Sequence, residues 1–186
     1  ERFNRVYLED PNKLISIYLS DARSRHLGSG FYSSSIEGAY AFFGSALPDG
    51  LDAILRSMRK LRQRIDELSD LYEDTMTGLV SYPVCLGLVR DNSGTLATHV
   101  ESAWAAAKAS LDRYTGDASS SIKAILESPL LNERFVPIHD LLASSGVLDD
   151  CAEQARVLAH DIIDQAYFVL EAPLAEVVRF IVHLKL

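Results

Sequence analysis

This sequence lacks most of the features that announce a chemistry. It carries 2 cysteines and 1 tryptophan in 186 residues. Two cysteines are too few for a disulfide scaffold, so the fold must be held by apolar burial. One bond between Cys85 and Cys151 is the single intramolecular disulfide the composition allows. No CxxC, HExxH, GxSxG, phosphate-loop or dinucleotide glycine pattern occurs. Gly28-Ser29-Gly30 has neither the third glycine nor a strand before it. The positions three residues before the histidines hold Arg23, Leu96, Val136, Val157 and Phe180. None is glutamate, which excludes the Glu-x-x-His pair of di-iron bundles. His160 and Asp164 lie one turn apart and could share a metal, but such a pair is more commonly a surface hydrogen bond. His99 reads as structural. No catalytic residue, metal or cofactor is expected.

Positive charge is also short. There are 18 Lys and Arg against 26 Asp and Glu, a formal net charge of −8. A nucleic-acid binder needs a net basic face, so that class is disfavoured, as is an anionic membrane surface. No apolar run reaches the roughly 18 residues of a membrane-spanning helix. No Asn-x-Ser/Thr acceptor is present to support secretion. The chain opens at Glu1 without Met or a leader and stops at Leu186 inside an apolar run, which reads as an excised or processed piece of a longer chain.

What is there is helical patterning. Hydrophobic residues make up 48%, enough for a sizeable core. Asp10-Pro11 starts a helix carrying Leu14, Ile15, Tyr18 and Ala22, ended by Gly28 and Gly30. Ser34 and Glu37 form a capping box before Ile36, Ala39, Tyr40 and Phe43. After Pro48-Asp49-Gly50, Leu51, Ile54, Met58, Leu61, Ile65, Leu68 and Tyr72 alternate steps of three and four, a heptad seam that Gly78 should close. The apolar stretch from Leu79 to Val89 contains Pro83, which breaks or begins a helix, and Gly87, which weakens it.

Thr95 should cap the next helix, which buries Leu96, Val100, Ala103, Trp104, Ala107, Leu111 and Tyr114 and stops at Gly116. A serine-capped helix follows from Ser119, and Pro129 and Pro137 should cut what comes next into short pieces. A long helix is expected from Val147 to about Glu171, with Leu148, Cys151, Ala155, Leu158, Ile162, Ala166 and Val169 as its seam. Pro173 stops it or starts the last one, which is apolar nearly all round. No run of alternating β-branched residues between hairpin turns is evident. The expected fold is all-α: an antiparallel bundle of five to seven helices, two or three of them long, in a single domain over 1–186.

Aligning Gly30 on Gly116 sets Leu14 on Val100, Tyr18 on Trp104 and Ile36 on Ile122. That suggests a degenerate duplication of 1–90 and 91–186, although serine runs cap helices for local reasons and the long helices fall out of register.

The function expected is non-catalytic: a helical protein–protein interaction or scaffold domain within a larger chain or assembly. Its contact residues would be Val177, Val178, Phe180, Ile181 and Leu184, with a charged stripe of Arg56, Arg59, Lys60 and Arg64 ahead of Asp66, Glu67, Asp70, Glu73 and Asp74. That stripe is either a solvated face or a two-signed surface that orients a helix partner. The alternative is a processed, secreted bundle holding an apolar small molecule among Trp104, Phe42, Phe43, Phe135 and Phe168, with a Cys85–Cys151 bond. The first reading leans to an intracellular protein and expects a protein partner or self-association.

Overall fold

A computed structural model describes residues 9–19, 42, 44, 48–112, 123 and 126–184. These residues are all-α: eight helices and, among the described residues, no strand. They are α1 (Pro11–Leu19), α2 (Leu51–Ser69), α3 (Leu71–Thr77), α4 (Tyr82–Arg90), α5 (Thr95–Asp112), α6 (Pro129–Ser144), α7 (Val147–Val169) and α8 (Ala172–His183). The capping-box helix after Ser34, most of the helix after Ser119, and the glycines Gly30 and Gly116 on which the proposed duplication is aligned lie outside the described residues.

The contacts divide the chain into two compact units. The first comprises 1–19 and 67–151, the second 20–66 and 152–186.

In the first unit, α5 packs on α6 and α3, and α4 packs on α1. Leu96, Val100, Leu131, Ile138, Leu142 and Val147 are fully buried in its core, together with Cys85 and Cys151. Gly87 sits midway along α4, where alanine would ordinarily be the better helix former. A Cβ there would lie 2.3 Å from Leu142 Cδ2 and 2.7 Å from Leu96 Cδ2. The residue that weakens the helix in isolation is what lets two core leucines reach its backbone.

Three local expectations are corrected. The seam helix is interrupted at Asp70, whose backbone (φ −96°, ψ 9°) leaves the helical region. Leu51, Ile54, Leu55 and Leu61 bury in the second unit's core, whereas Leu71 and Met76 bury in the first. Gly78 ends α3 in the left-handed conformation, its N–H turned back to the α3 carbonyls. Pro137 does not cut α6, which runs unbroken from Pro129 to Ser144. Leu131 on one side and Ile138 and Leu142 on the other are each fully buried, and this anchors both arms against the lost hydrogen bond. The cap of α5 is Asp91 rather than Thr95. Its carboxylate accepts the Leu96 N–H at 2.6 Å and the Ser93 N–H at 2.9 Å. The Ser93 hydroxyl and then these amides hold the Asp91 carboxyl below the ordinary aspartate value.

The second unit gathers α2 from Leu51, most of α7, and α8. Leu51, Ile54, Leu55 and Leu61 meet Ala155, Ala159, Ile162 and Ala166, with Ala175, Val178 and Val182 of α8. A Cβ on Gly50, just before α2, would lie 2.3 Å from Val169 at the end of α7. Arg64, late in α2, donates to the Gln154 carbonyl early in α7 at 2.9 Å. These two contacts require α2 and α7 to run in opposite senses. The three alanines give α7 a low relief on its buried side.

Two outcomes are expected. Gly87→Ala should lower stability by about 1–3 kcal/mol through overpacking, read as a lower midpoint in urea unfolding; a gain would mean the leucines move aside freely. Asp91 contributes stability above the ordinary aspartate range, and this is lost as pH falls through its depressed folded value. Asp91→Asn should therefore flatten the acid limb of the melting temperature against pH. An unchanged acid limb would refute the cap.

Candidate functional site

The outward face of α8 is the surface where geometry and sequence expectation meet. Pro173 stands in its first turn, where a missing N–H costs nothing. Ala175, Val178 and Val182 follow at steps of three and four and are buried in the second unit's core. The opposite side is also apolar. Val177 is 51% exposed, Phe180 63%, Ile181 38% and Leu184 68%. Val178 is the exception among the residues expected there. At 4% exposure it belongs to the core, because a helix 3.6 residues per turn carries it to the opposite side from Phe180. Nearly uniform apolarity in the sequence thus separates into two stripes, one buried and one in solvent.

A polar cluster borders the outward stripe. The Tyr167 hydroxyl, from α7, donates to Glu176, and Arg179 Nε donates to the same carboxylate at 2.9 Å. The Tyr167 hydroxyl and then Arg179 hold Glu176 below the ordinary glutamate value, while Tyr167 is raised by its bond to Glu176. His183 stands exposed at the end of the helix. Phe168, next to Tyr167, is 91% exposed.

The charged stripe on α2 is not one uniform solvated face. Arg56 is exposed and pairs with Asp52 one turn back. Arg62 pairs with Asp66 at 3.4 Å, the spacing an i, i+4 pair requires. Lys60 is half-buried, and so is Arg64, which binds the Gln154 carbonyl. Arg59 is also half-buried. Its Nε and Nη2 are sealed from solvent with no hydrogen-bond partner among the described residues, as is Nε2 of Gln63 one turn on.

Glu67, expected within the solvated acidic block, is 6% exposed and belongs to the first unit. It accepts the Tyr82 N–H at 2.6 Å. Ser81, the N-cap residue of α4, makes no side-chain cap. Glu67 therefore supplies from a distant helix the acceptor that this helix start requires. No sequence signal marks it, because its partner is a backbone amide fifteen residues away.

The aromatic residues do not form one lining. Trp104 is half-buried against the first unit's core and donates its indole N–H to the Thr75 carbonyl at 2.8 Å. Phe135 packs edge-on against Tyr72, with ring centroids 5.1 Å apart. Phe42 is 84% exposed and Phe168 91%, so neither walls an enclosed space. Phe43 lies outside the described residues. Cys85 and Cys151 are both buried in the first core. His160 uses Nδ1 to donate to the Arg156 carbonyl at 2.9 Å, a surface hydrogen bond one turn back along α7 rather than one to Asp164. Among the described residues no three His, Cys, Asp or Glu side chains gather as a metal site, and no helix is long and apolar enough to cross a membrane.

The class that these observations define is an all-α protein with an exposed apolar helix face. No protein-family model matches the chain, and no curated protein or solved structure proves similar to it.

Arg59 yields a test of its own. A buried guanidinium edge without acceptors costs about 1–3 kcal/mol or more. Arg59→Met keeps the stem and removes the donors, so it should raise the melting temperature, with Arg56→Met as a neutral surface control. A loss of stability on Arg59→Met would show that its donors are satisfied.

Proposed function

We propose that this chain is a helical protein–protein interaction or scaffold module, and that the outward face of α8 is its contact surface. The observation that supports this reading is the stripe of Val177, Phe180 and Leu184, each with more than half of its surface in water. The helix that carries them is already anchored by Ala175, Val178 and Val182. The stripe is therefore not needed to hold α8 in place. Covering its three large side chains would contribute on the order of 1 kcal/mol apiece. Scattered exposed apolar residues are ordinary on a surface. A contiguous row along one helix face, bordered by Glu176 and Arg179, has the form of an interface: an apolar centre and a polar rim.

The charged stripe of α2 contributes less to this reading. Of Arg56, Arg59, Lys60 and Arg64, only Arg56 is exposed, and it is engaged by Asp52.

Phe180→Asp and Leu184→Asp test the proposal. Each changes a residue more than half exposed, so the unfolding midpoint should move by no more than about 0.5 kcal/mol in stability. Chemical cross-linking in an extract from the native source, read by mass spectrometry, should then lose the protein–protein links that map to α8. A large loss of stability would assign these residues to the core. Unchanged links would remove α8 as the contact surface.

A further inference from the structure

We infer that the face of α8 is covered by a second copy of this chain, with the two α8 helices packed antiparallel about a two-fold axis. The inference rests on the reading of α8 as an interface and adds the occupant and its orientation.

The outward stripe has its own register. Pro173, Val177, Phe180 and Leu184 are separated by steps of four, three and four, the spacing of a coiled-coil seam. The flanks of the seam differ in character. Glu176 and His183, seven residues apart and both exposed, fall on one side. Ile181, 38% exposed, and half-buried Leu174, again seven apart, fall on the other. One flank is charged or titratable and the other is apolar.

That asymmetry decides the orientation. In a parallel pair each flank meets the opposite flank of the partner, so Glu176 would face the partner's Ile181. The carboxylate would then face an apolar side chain that offers it no further donor. In an antiparallel pair each flank meets its own kind. Val177 layers against the partner's Phe180, and Leu184 against the partner's Pro173. In that register Glu176 comes beside the partner's His183, and Ile181 comes beside the partner's Leu174. The two-fold axis repeats each contact, as a self-complementary patch requires. The Glu176 carboxylate already accepts from Tyr167 and Arg179, and two carboxylate oxygens retain capacity for a further donor. A single twelve-residue helix face is a small interface, so the pair should be weak and concentration-dependent.

Sedimentation equilibrium of the 186-residue chain over a wide concentration range tests this. The expected result is a monomer–dimer equilibrium that Phe180→Asp abolishes, with circular dichroism and thermal melts confirming that the variant is folded. Orientation is read by charge exchange. Glu176→Lys alone removes the acceptor that faces His183, and His183→Glu alone sets two carboxylates together twice across the axis; each should weaken the dimer about threefold to tenfold. The double variant, which restores opposite charges, should recover the wild-type dimerisation constant. A chain monomeric at every concentration overturns the inference, while α8 cross-links to other proteins that are lost on Phe180→Asp would leave the interface reading standing. A dimer indifferent to Phe180→Asp overturns both. A double variant no tighter than either single variant overturns the antiparallel arrangement.

Discussion

The hydrogen bond from the Tyr82 N–H to the buried Glu67 carboxylate holds the first unit's arrangement together. A carboxylate at 6% exposure is costly unless it is well paired. Here it meets a helix N-terminus, where free amides and the helix dipole both favour negative charge. A hydrogen bond to a charged group contributes about 1.5–3 kcal/mol net, comparable with the loss that a bare helix start would impose. The bond fixes where α4 begins relative to the end of α2. From that start, five residues of helix bring Gly87 under Leu96 and Leu142. The same helix ends at Asp91, whose carboxylate starts α5. A run of polar contacts thus sets the apolar packing: one carboxylate opens α4 and another passes the chain from α4 to α5.

The second unit relies on shape instead. Ala155, Ala159 and Ala166 give α7 a low relief on which Leu51, Ile54 and Leu61 of α2 can settle. Ala175 does the same for α8. The smaller side chains of α8 lie on its buried side and its bulk is turned outward, toward Phe180 and Leu184. A helix with alanine and valine inside and phenylalanine and leucine outside inverts the usual distribution. This inversion, more than the total apolar content of the segment, leaves large apolar side chains on the outer face of α8 in solvent. Nearby, Arg59 and Gln63 keep donors buried without acceptors among the described residues, a local cost the rest of the unit must offset.

Periodicity by itself determined the class of this protein. Steps of three and four recur in segment after segment, and with too few β-branched alternations for strands the only way to bury them is against other helices. It also placed the span of α7, the loop at residues 91–94 and the role of Gly78, because each of these is written in a handful of neighbouring residues. Arg62 and Asp66 were legible for the same reason.

Tertiary structure decided everything that depends on residues far apart in the chain. Whether Pro137 breaks a helix rests on Leu131, Ile138 and Leu142 finding a core. Whether Gly87 weakens or permits α4 rests on two leucines from other helices. Glu67 reads as one more solvated acid until its partner amide is known, and Val178 reads as a neighbour of Phe180 until the buried side of α8 is fixed. The division into two interleaved units could not be seen in the sequence either, since both draw on the same kinds of helix and neither is continuous in the chain. Local propensity is a property of a few adjacent residues, whereas burial is assigned by whichever distant side chains arrive, and burial determines which apolar face α8 leaves in solvent.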